Sequence, residues 1–253
     1  MALGQISLTA GMRQNLISLQ KTNDLMEITQ TRLSTGKKVN TALDDPVKYF
    51  AALGHTQRAN DLAYRKSDMN EAIQTIKAAS NGIEAISGLI ESAKSLAQSA
   101  LSIDACSEVT SQNAMDRSAL AVQFNEVMNQ IDSLAADSGY KGVNLLDSGS
   151  LTVEYDENGD SSSTITGFDA SASGLAIDDD TTGWLANADV TGAVADLDTA
   201  RDTLRTKTKG LTTSLSTITT RLDFTKNMIN TLEDGAAKLT LADMNEEGAN
   251  MLM

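Results

Sequence analysis

The sequence predicts a mainly α-helical protein, an elongated rod of long heptad-patterned helices from both chain ends with a small outer lobe that contains a β-hairpin. Three observations lead to this prediction. Apolar residues recur every three to four positions near both ends of the 253-residue chain, the period changes to two in a short middle segment, and aromatic residues make up only 4%. Because a helix with such an apolar seam cannot bury the seam alone, the helices are expected to pair.

The first predicted element is a helix within residues 1–35 that carries a weak apolar seam. Its apolar members are Met12, Leu16, Leu19, Met26 and Leu33. Asn23 and Gln30 interrupt the seam, and they either fix the register of a coiled coil or face solvent on a helix whose apolar stripe drifts. Residues 36–56 are predicted to be a linker, because a proline disfavours the helical conformation in the residue before it. The linker contains Gly36, Asn40, Asp44, Asp45 and Pro46.

Residues 57–150 are predicted to hold two further helices. The longer helix, over 57–101, has ten apolar residues in heptad spacing, which random spacing seldom produces. They are Met69, Ala72, Ile76, Ala79, Ile83, Ile86, Ile90, Ala93, Ala97 and Ala100. The shorter helix ends near Ser138, and its expected seam is Leu120, Phe124, Val127, Ile131 and Leu134.

Residues 151–190 are predicted to form an acidic lobe. Apolar and polar residues alternate from Leu151 to Tyr155, Asn158-Gly159 is a tight-turn pair, and residues 164–166 offer a return strand, which together indicate a β-hairpin. The segment is too short and polar for a core of its own, so we expect it to pack against the helices. Residues 142–200 hold twelve acidic and no basic residues, a charge that disfavours binding to nucleic acids and membranes.

The heptad pattern returns in residues 191–238, the predicted second half of the rod. The seam is interrupted only at Arg201, Thr208 and Thr225, and its apolar members are Leu197, Leu204, Leu211, Leu215, Ile218, Leu222, Ile229, Leu232, Ala236 and Leu239. Residues 239–253 are expected to begin another helix that is incomplete.

The residues that could carry chemistry do not form a catalytic pattern. His55 is the only histidine and has no evident acid or nucleophile partner, and a single cysteine, Cys106, excludes an internal disulfide. Residues 156–160 superficially resemble a calcium loop, but Gly167 stands where the twelfth position requires a glutamate. The acidic run 178–180 is expected to be solvated. The sequence therefore predicts neither an enzyme nor a bound metal or cofactor.

Three blocks of sequence resemble one known family. Residues 32–40, RLSTGKKVN, followed by Asp44-Asp45-Pro46, resemble the N-terminal signature of bacterial flagellins. Residues 140–146, YKGVNLL, are similar to the element that ends the N-terminal helical half of flagellins, and residues 221–224 and 241–244 resemble their C-terminal half. The resemblance implies a subunit that self-assembles into the flagellar filament. A hook–filament junction protein is the first alternative, and a coiled-coil adaptor protein is the second.

The resemblance also assigns roles to the segments. It implies that residues 1–35 join an inner coiled coil, that residues 36–56 form a spoke, and that both long heptad regions pack in the core of the rod. That packing involves Met69, Ile76, Ile83, Ile90, Phe124, Leu211, Leu215, Ile218, Leu222, Ile229 and Leu232. Flagellins normally continue beyond the 241–244 element with a further amphipathic helix, so the chain is expected to be truncated at its C-terminus.

The resemblance further implies location and partners. These are an extracellular place in the flagellum, export without a cleaved signal peptide, a cytoplasmic export chaperone, and the hook-associated junction and cap proteins. Weak or no recognition by the innate Toll-like receptor is expected, because Ser92 replaces an arginine of the recognised segment. Candidate positions for O-linked sugars on the lobe are Ser161, Ser162, Ser163 and Thr164.

Overall fold

The computed structural model describes residues 9–105 and 111–252. In chain order the elements are α1 (Ala10–Thr35), α2 (Pro46–Leu101), α3 (Gln112–Asp137), β1 (Ser150–Glu154), β2 (Ser162–Thr166), α4 (Asn187–Thr240) and α5 (Met244–Leu252). The predicted fold class, long helices with one small antiparallel sheet, is confirmed. None of the helices in the described ranges has a stretch that is long and apolar enough to cross a bilayer.

The chain divides into two compact units. The terminal unit contains the described residues up to Asp61 and those from Asn227 onwards, and the central unit is Leu62–Lys226. Helices α2 and α4 each contribute residues to both units.

The expectation that the second helix starts at residue 57 is wrong, because α2 begins at Pro46. Proline is well suited to the first helical position, since its fixed φ matches the helix and no intrahelical carbonyl needs its missing N–H. The side chain of Asp45 accepts a hydrogen bond from the backbone N–H of Lys48 at 3.1 Å, which is the bond of a helix N-cap. The non-helical part of the predicted linker is therefore limited to residues 36–45.

The central unit has one hydrophobic core to which all its elements contribute. All ten seam residues of α2 between Met69 and Ala100 are buried in it. On α4, Leu211 and Ile218 are buried, and Leu215 and Leu222 pack against the same cluster while partly exposed. Met69 and Leu215 thus share a core, as expected if the heptad regions from the two halves of the sequence pair. In the terminal unit, Ile229 and Leu232 are buried.

The buried stripe of α3 is offset from the predicted seam. Phe124 and Ile131 are buried as expected, but Leu120, Val127 and Leu134 are only partly buried. The buried residues of α3 are Ala114, Arg117, Ala121, Phe124, Met128, Ile131 and Ala135. The small alanines allow close packing, and the ring of Phe124 lies with its centroid 5.0 Å from that of Trp184. The predicted seam was offset because the prediction considered only the large apolar residues of α3 and not its alanines.

The predicted hairpin is present and packs against the helices. Strands β1 and β2 pair antiparallel, with Leu151 opposite Ile165 and Val153 opposite Ser163, and Gly159 in the connecting turn has a φ of 80°. Val153, Tyr155 and Ile165 belong to the core that the helices form. An ion pair links the hairpin to α2, because Nη2 of Arg65 lies 2.8 Å from the carboxylate of Glu154 on β1.

Candidate assembly surface

Helix α1 exposes its apolar seam. The exposed fractions are 59% for Met12, 51% for Leu16, 65% for Leu19 and 50% for Met26, while Leu33 is partly buried. Thr29 is the one buried residue of this 26-residue helix. An isolated helix gains little stability from propensity alone, and most helical stability in proteins comes from packing. A row of large exposed apolar side chains on such a helix is typical of a surface that another element covers.

The C-terminal end of α1 is fixed by contacts with residues from the other end of the sequence. Gly36, with a φ of 68°, ends the helix, and its N–H donates to the carbonyl of Arg32 at 2.8 Å. The carbonyl of Gly36 accepts from the N–H of Ala242 at 3.0 Å, and the N–H of Lys38 donates to the carbonyl of Thr240 at 2.7 Å. The segment after α1 and the segment after α4 are thus joined by backbone hydrogen bonds.

An ion pair adds to this junction. Nη1 of Arg32 lies 3.0 Å from Oε1 of Glu247 on α5, and Glu247 is buried although it is charged. Its second oxygen, Oε2, is buried without a hydrogen-bond partner in the described part of the chain. Since a buried carboxylate is costly unless it is paired, the contact holds α5 against α1.

The predicted spoke residues form a hydrogen-bonded turn. The carboxylate of Asp44 accepts from the backbone N–H groups of Thr41 at 2.9 Å and Asn40 at 3.0 Å. These two bonds, that of Thr41 first, lower the pKa of Asp44. The side-chain amide of Asn40 donates to the hydroxyl of Thr35 at 3.0 Å, so the turn is also tied to the end of α1.

A second exposed apolar patch begins in this turn and continues onto the first turn of α2, and the sequence interpretation missed it. The exposed fractions of Leu43, Val47 and Phe50 are 96%, 78% and 61%. The signal was available in the sequence as Val47, Phe50 and Ala51, which follow the proline at helical spacing. It was obscured by the assignment of residues 46–56 to a linker, because a helical period has no meaning in an irregular segment.

The acidic residues of segments 156–160 and 178–180 accept hydrogen bonds that stabilise turns. Oδ1 of Asp156 accepts from the N–H of Ser161 at 3.0 Å, and that bond is the largest cause of the lowered pKa of Asp156. Asp180 accepts in the same way from the N–H groups of Thr182 and Gly183. In residues 9–105 and 111–252, no group of three or more His, Cys, Asp or Glu side chains is placed to hold a metal ion. Cys106 lies outside the described residues.

The candidate sugar-bearing residues lie in and beside β2. Ser162 and Thr164 are exposed, and Ser161 and Ser163 are partly buried. The hydroxyls of Thr164 and Thr152 are 3.2 Å apart across the sheet. His55 is partly buried on α2, and its ring lies next to Gly235 on α4.

Arg117 is a buried residue that the sequence interpretation also missed. Its Nε donates to the carbonyl of Trp184 at 2.6 Å, and its Nη1 donates to the carbonyl of Ile103 and the side chain of Asn187, both at 2.8 Å. One guanidinium therefore connects α3 to the end of α2 and the start of α4. Its position four residues before Ala121 and seven before Phe124 places it on the buried stripe, which was the signal in the sequence.

Comparison with known proteins identifies the family. Residues 6–150 match the model of the bacterial flagellin N-terminal helical region, which is more than half of the chain. The chain belongs to the flagellin family. Flagellins FljO and FljK of Caulobacter vibrioides are 26% and 27% identical to it over 252 residues, and each match covers 99% of this chain and 89% of the relative. A crystal structure of Bacillus cereus flagellin aligns with a TM-score of 0.49 and 18% identity, covering 62% of this chain and 88% of that one.

Membership of the family settles the class of function. Flagellins are structural proteins, and this chain is a structural subunit of the bacterial flagellar filament. Neither the junction protein nor the coiled-coil adaptor is favoured by these matches.

Proposed function

We propose that this flagellin polymerises through the seam of α1, which becomes buried when copies assemble. The observation that carries the proposal is the row of exposed apolar side chains Met12, Leu16, Leu19 and Met26 on a helix that buries only Thr29. Burying a fully exposed large apolar side chain contributes roughly 1.5–3 kcal/mol. Covering these four half-exposed side chains in every copy therefore contributes a favourable free energy that opposes the entropic cost of association. Contacts between different surfaces of identical copies produce an open helical polymer, the architecture of a filament, when the rotation between copies does not close a ring.

The junction between the chain ends supports an inner coiled coil. The contact of α5 with α1 near Arg32 places the C-terminal segment beside the end of the α1 seam. In this proposal Met12, Leu16, Leu19, Met26 and Leu33 form the inner packing, Gly36 to Pro46 form the spoke, and the core of the central unit forms the rod. Sugars on Ser161, Ser162, Ser163 or Thr164 belong to the same proposal.

The partners and the route to the filament follow from the family. We propose that the chain is exported without a cleaved signal peptide and that a cytoplasmic chaperone binds its C-terminal part. We also propose that the hook-associated junction and cap proteins contact the filament. Exposed apolar side chains such as Met251 and Leu252 of the C-terminal part are a hazard before assembly, which is the physical reason for a chaperone. Weak or no Toll-like receptor recognition is proposed because Ser92, an exposed residue, replaces an arginine.

Seeded polymerisation of the purified full chain tests the proposal. The variant Leu16→Asn/Leu19→Asn removes two seam residues, and we expect no filaments by electron microscopy at concentrations where the unaltered chain forms them. The matched control is Gln14→Asn/Gln20→Asn, which makes two substitutions to the same residue on the same helix and leaves the seam intact. The control should polymerise normally. Filament growth by the seam variant at an unchanged rate would contradict the proposal.

A further inference from the structure

The first turns of α2 carry an exposed apolar hole. Val47, Phe50, Ala51 and Gly54 stand at helix positions i, i+3, i+4 and i+7, and all four are exposed. Four residues with this spacing form the hole that receives one side chain of a facing helix in coiled-coil packing. Ala51 and Gly54 make this hole deep, and Phe50, held edge-on by Tyr49 with ring centroids 5.5 Å apart, forms one wall.

The described residues give no steric reason for a glycine at position 54. Apart from the neighbouring backbone of α2 itself, a Cβ at Gly54 would have no atom of the described residues within 4 Å, so none of them requires the absence of a side chain there. Glycine is the least favourable residue in a helix interior after proline. A glycine at the bottom of an exposed apolar hole is explained when the backbone or a large side chain of another molecule approaches closely.

Helix α1 offers side chains that match this hole. Ile17, Leu25 and Ile28 are exposed by 53%, 64% and 46%. At about 100° per residue these three lie on the side of α1 opposite to the seam of Met12, Leu16 and Leu19. The seam contact of the proposed assembly therefore leaves this second apolar face uncovered.

We propose that the hole formed by Val47, Phe50, Ala51 and Gly54 receives an apolar side chain from the Ile17, Leu25 and Ile28 face of α1 in a second copy of the chain. This inference rests on the proposed self-assembly and names one contact within it. A second copy is the occupant because the same chain presents the hole and the matching side chains on different surfaces. Such a heterologous contact can repeat from copy to copy, and it builds an open filament when its rotation does not close a ring.

The first experiment fills the hole. Gly54→Leu should fold with an unchanged or higher midpoint of thermal unfolding, because leucine is a better helix former than glycine. Its critical concentration for seeded polymerisation should rise at least about tenfold, which corresponds to a loss of about 1.4 kcal/mol per contact. The matched control is Gly88→Leu, another exposed glycine of α2 with open space around it, which should polymerise like the unaltered chain.

The second experiment identifies the occupant. In a Cys106→Ser background, copies with Gly54→Cys are polymerised with copies carrying Leu25→Cys or Ile17→Cys and oxidised. Mixed disulfide-linked dimers, detected by mass, are expected with at least one of these partners. Copies with Leu19→Cys, on the seam side, are the control and should give none.

The outcomes separate this inference from the assembly proposal. If the unaltered chain fails to form filaments when seeded, both are overturned. If it forms them and Gly54→Leu does so at the same critical concentration, or if the mixed dimers form only with Leu19→Cys, this inference alone is overturned. An equal loss of polymerisation in Gly88→Leu would also overturn it, since the effect would not belong to the hole.

Discussion

Arg32 and Glu247, which are 215 residues apart in the sequence, form an ion pair with an Nη1–Oε1 distance of 3.0 Å. The carboxylate is buried and the guanidinium is partly exposed. Because the pair joins α1 to α5, it couples the N-terminal helix, whose seam is proposed to drive assembly, to the C-terminal segment.

Removal of Arg32 is expected to release α5. Arg32→Met leaves the carboxylate of Glu247 buried without a cation, which costs about 3–5 kcal/mol and favours local opening. Hydrogen exchange of the α5 amides should accelerate accordingly. Arg32→Met/Glu247→Met should restore much of the protection, since no unpaired charge remains. The control is Arg205→Met, which removes an exposed ion pair with Asp202 and should change stability by less than about 0.5 kcal/mol.

Arg117→Ala is expected to destabilise the central unit strongly. The substitution removes three hydrogen bonds and leaves a cavity and the unpaired carbonyls of Ile103 and Trp184, at a cost of about 3–5 kcal/mol. Urea unfolding followed by the fluorescence of Trp184, the only tryptophan, measures the loss. Lys94→Ala, which removes a partly exposed partner of Asp198, should cost much less. A similar loss in both variants would contradict the role given to Arg117.

The turn that precedes α2 should weaken in acid. The pKa of Asp44 is lowered in the folded chain by the N–H groups of Thr41 and Asn40, so its contribution to stability is full above the ordinary aspartate pKa. That contribution is lost as the pH falls through the lowered, folded-state pKa. The difference in unfolding midpoint between the unaltered chain and Asp44→Asn should therefore narrow as the pH falls below about 4. A difference that stays constant from pH 6 to pH 2 would refute this assignment.

Lys141 occupies a backbone conformation that its residue type disfavours, with a φ of 49°. Its ammonium lies 2.9 Å from the carboxylate of Glu71 on α2, and this contact lowers the pKa of Glu71 and raises that of Lys141. Lys141→Asn should preserve the turn, because asparagine tolerates positive φ, and the pKa of Glu71 measured by NMR should rise toward its ordinary value. Lys141→Val should give the same rise and in addition cost about 1–2 kcal/mol of stability through backbone strain. Equal stabilities of the two variants would show that the strain is unimportant.

The accuracy of the sequence predictions differed among the helices for physical reasons. The ten-residue seam of α2 is buried as its spacing indicated, because its partners lie in the same chain and apolar periodicity reports a buried face directly. The α3 stripe was misplaced because alanines and Arg117 occupy it. Charged side chains are rarely buried in proteins, so sequence reasoning places an arginine at the surface. The burial of Arg117 is favourable because its guanidinium has acceptors at Trp184, Ile103 and Asn187.

The start of α2 was misjudged for a different reason. Asp45 directly before Pro46 has the pattern of a helix N-cap followed by proline at the first helical position, but the prediction considered only that a proline interrupts a helix. The hydrogen bond from Lys48 to Asp45 decided the matter. Because residues 46–56 are helical, Val47, Phe50, Ala51 and Gly54 lie together as the apolar hole.

The amino-acid sequence was sufficient to predict the helical class, the hairpin, the heptad seams and, through three short motifs, the family. Periodicity and motif residues are local properties of the chain, so they do not depend on knowing the fold. The folded structure was needed to learn which seams are covered within one molecule, where Glu247 and Arg117 find their partners, and that the α1 seam and the apolar hole at the start of α2 are exposed. Those facts depend on residues far apart in the sequence being brought together, and an apolar stripe alone does not state whether its partner lies in the same chain or in another copy.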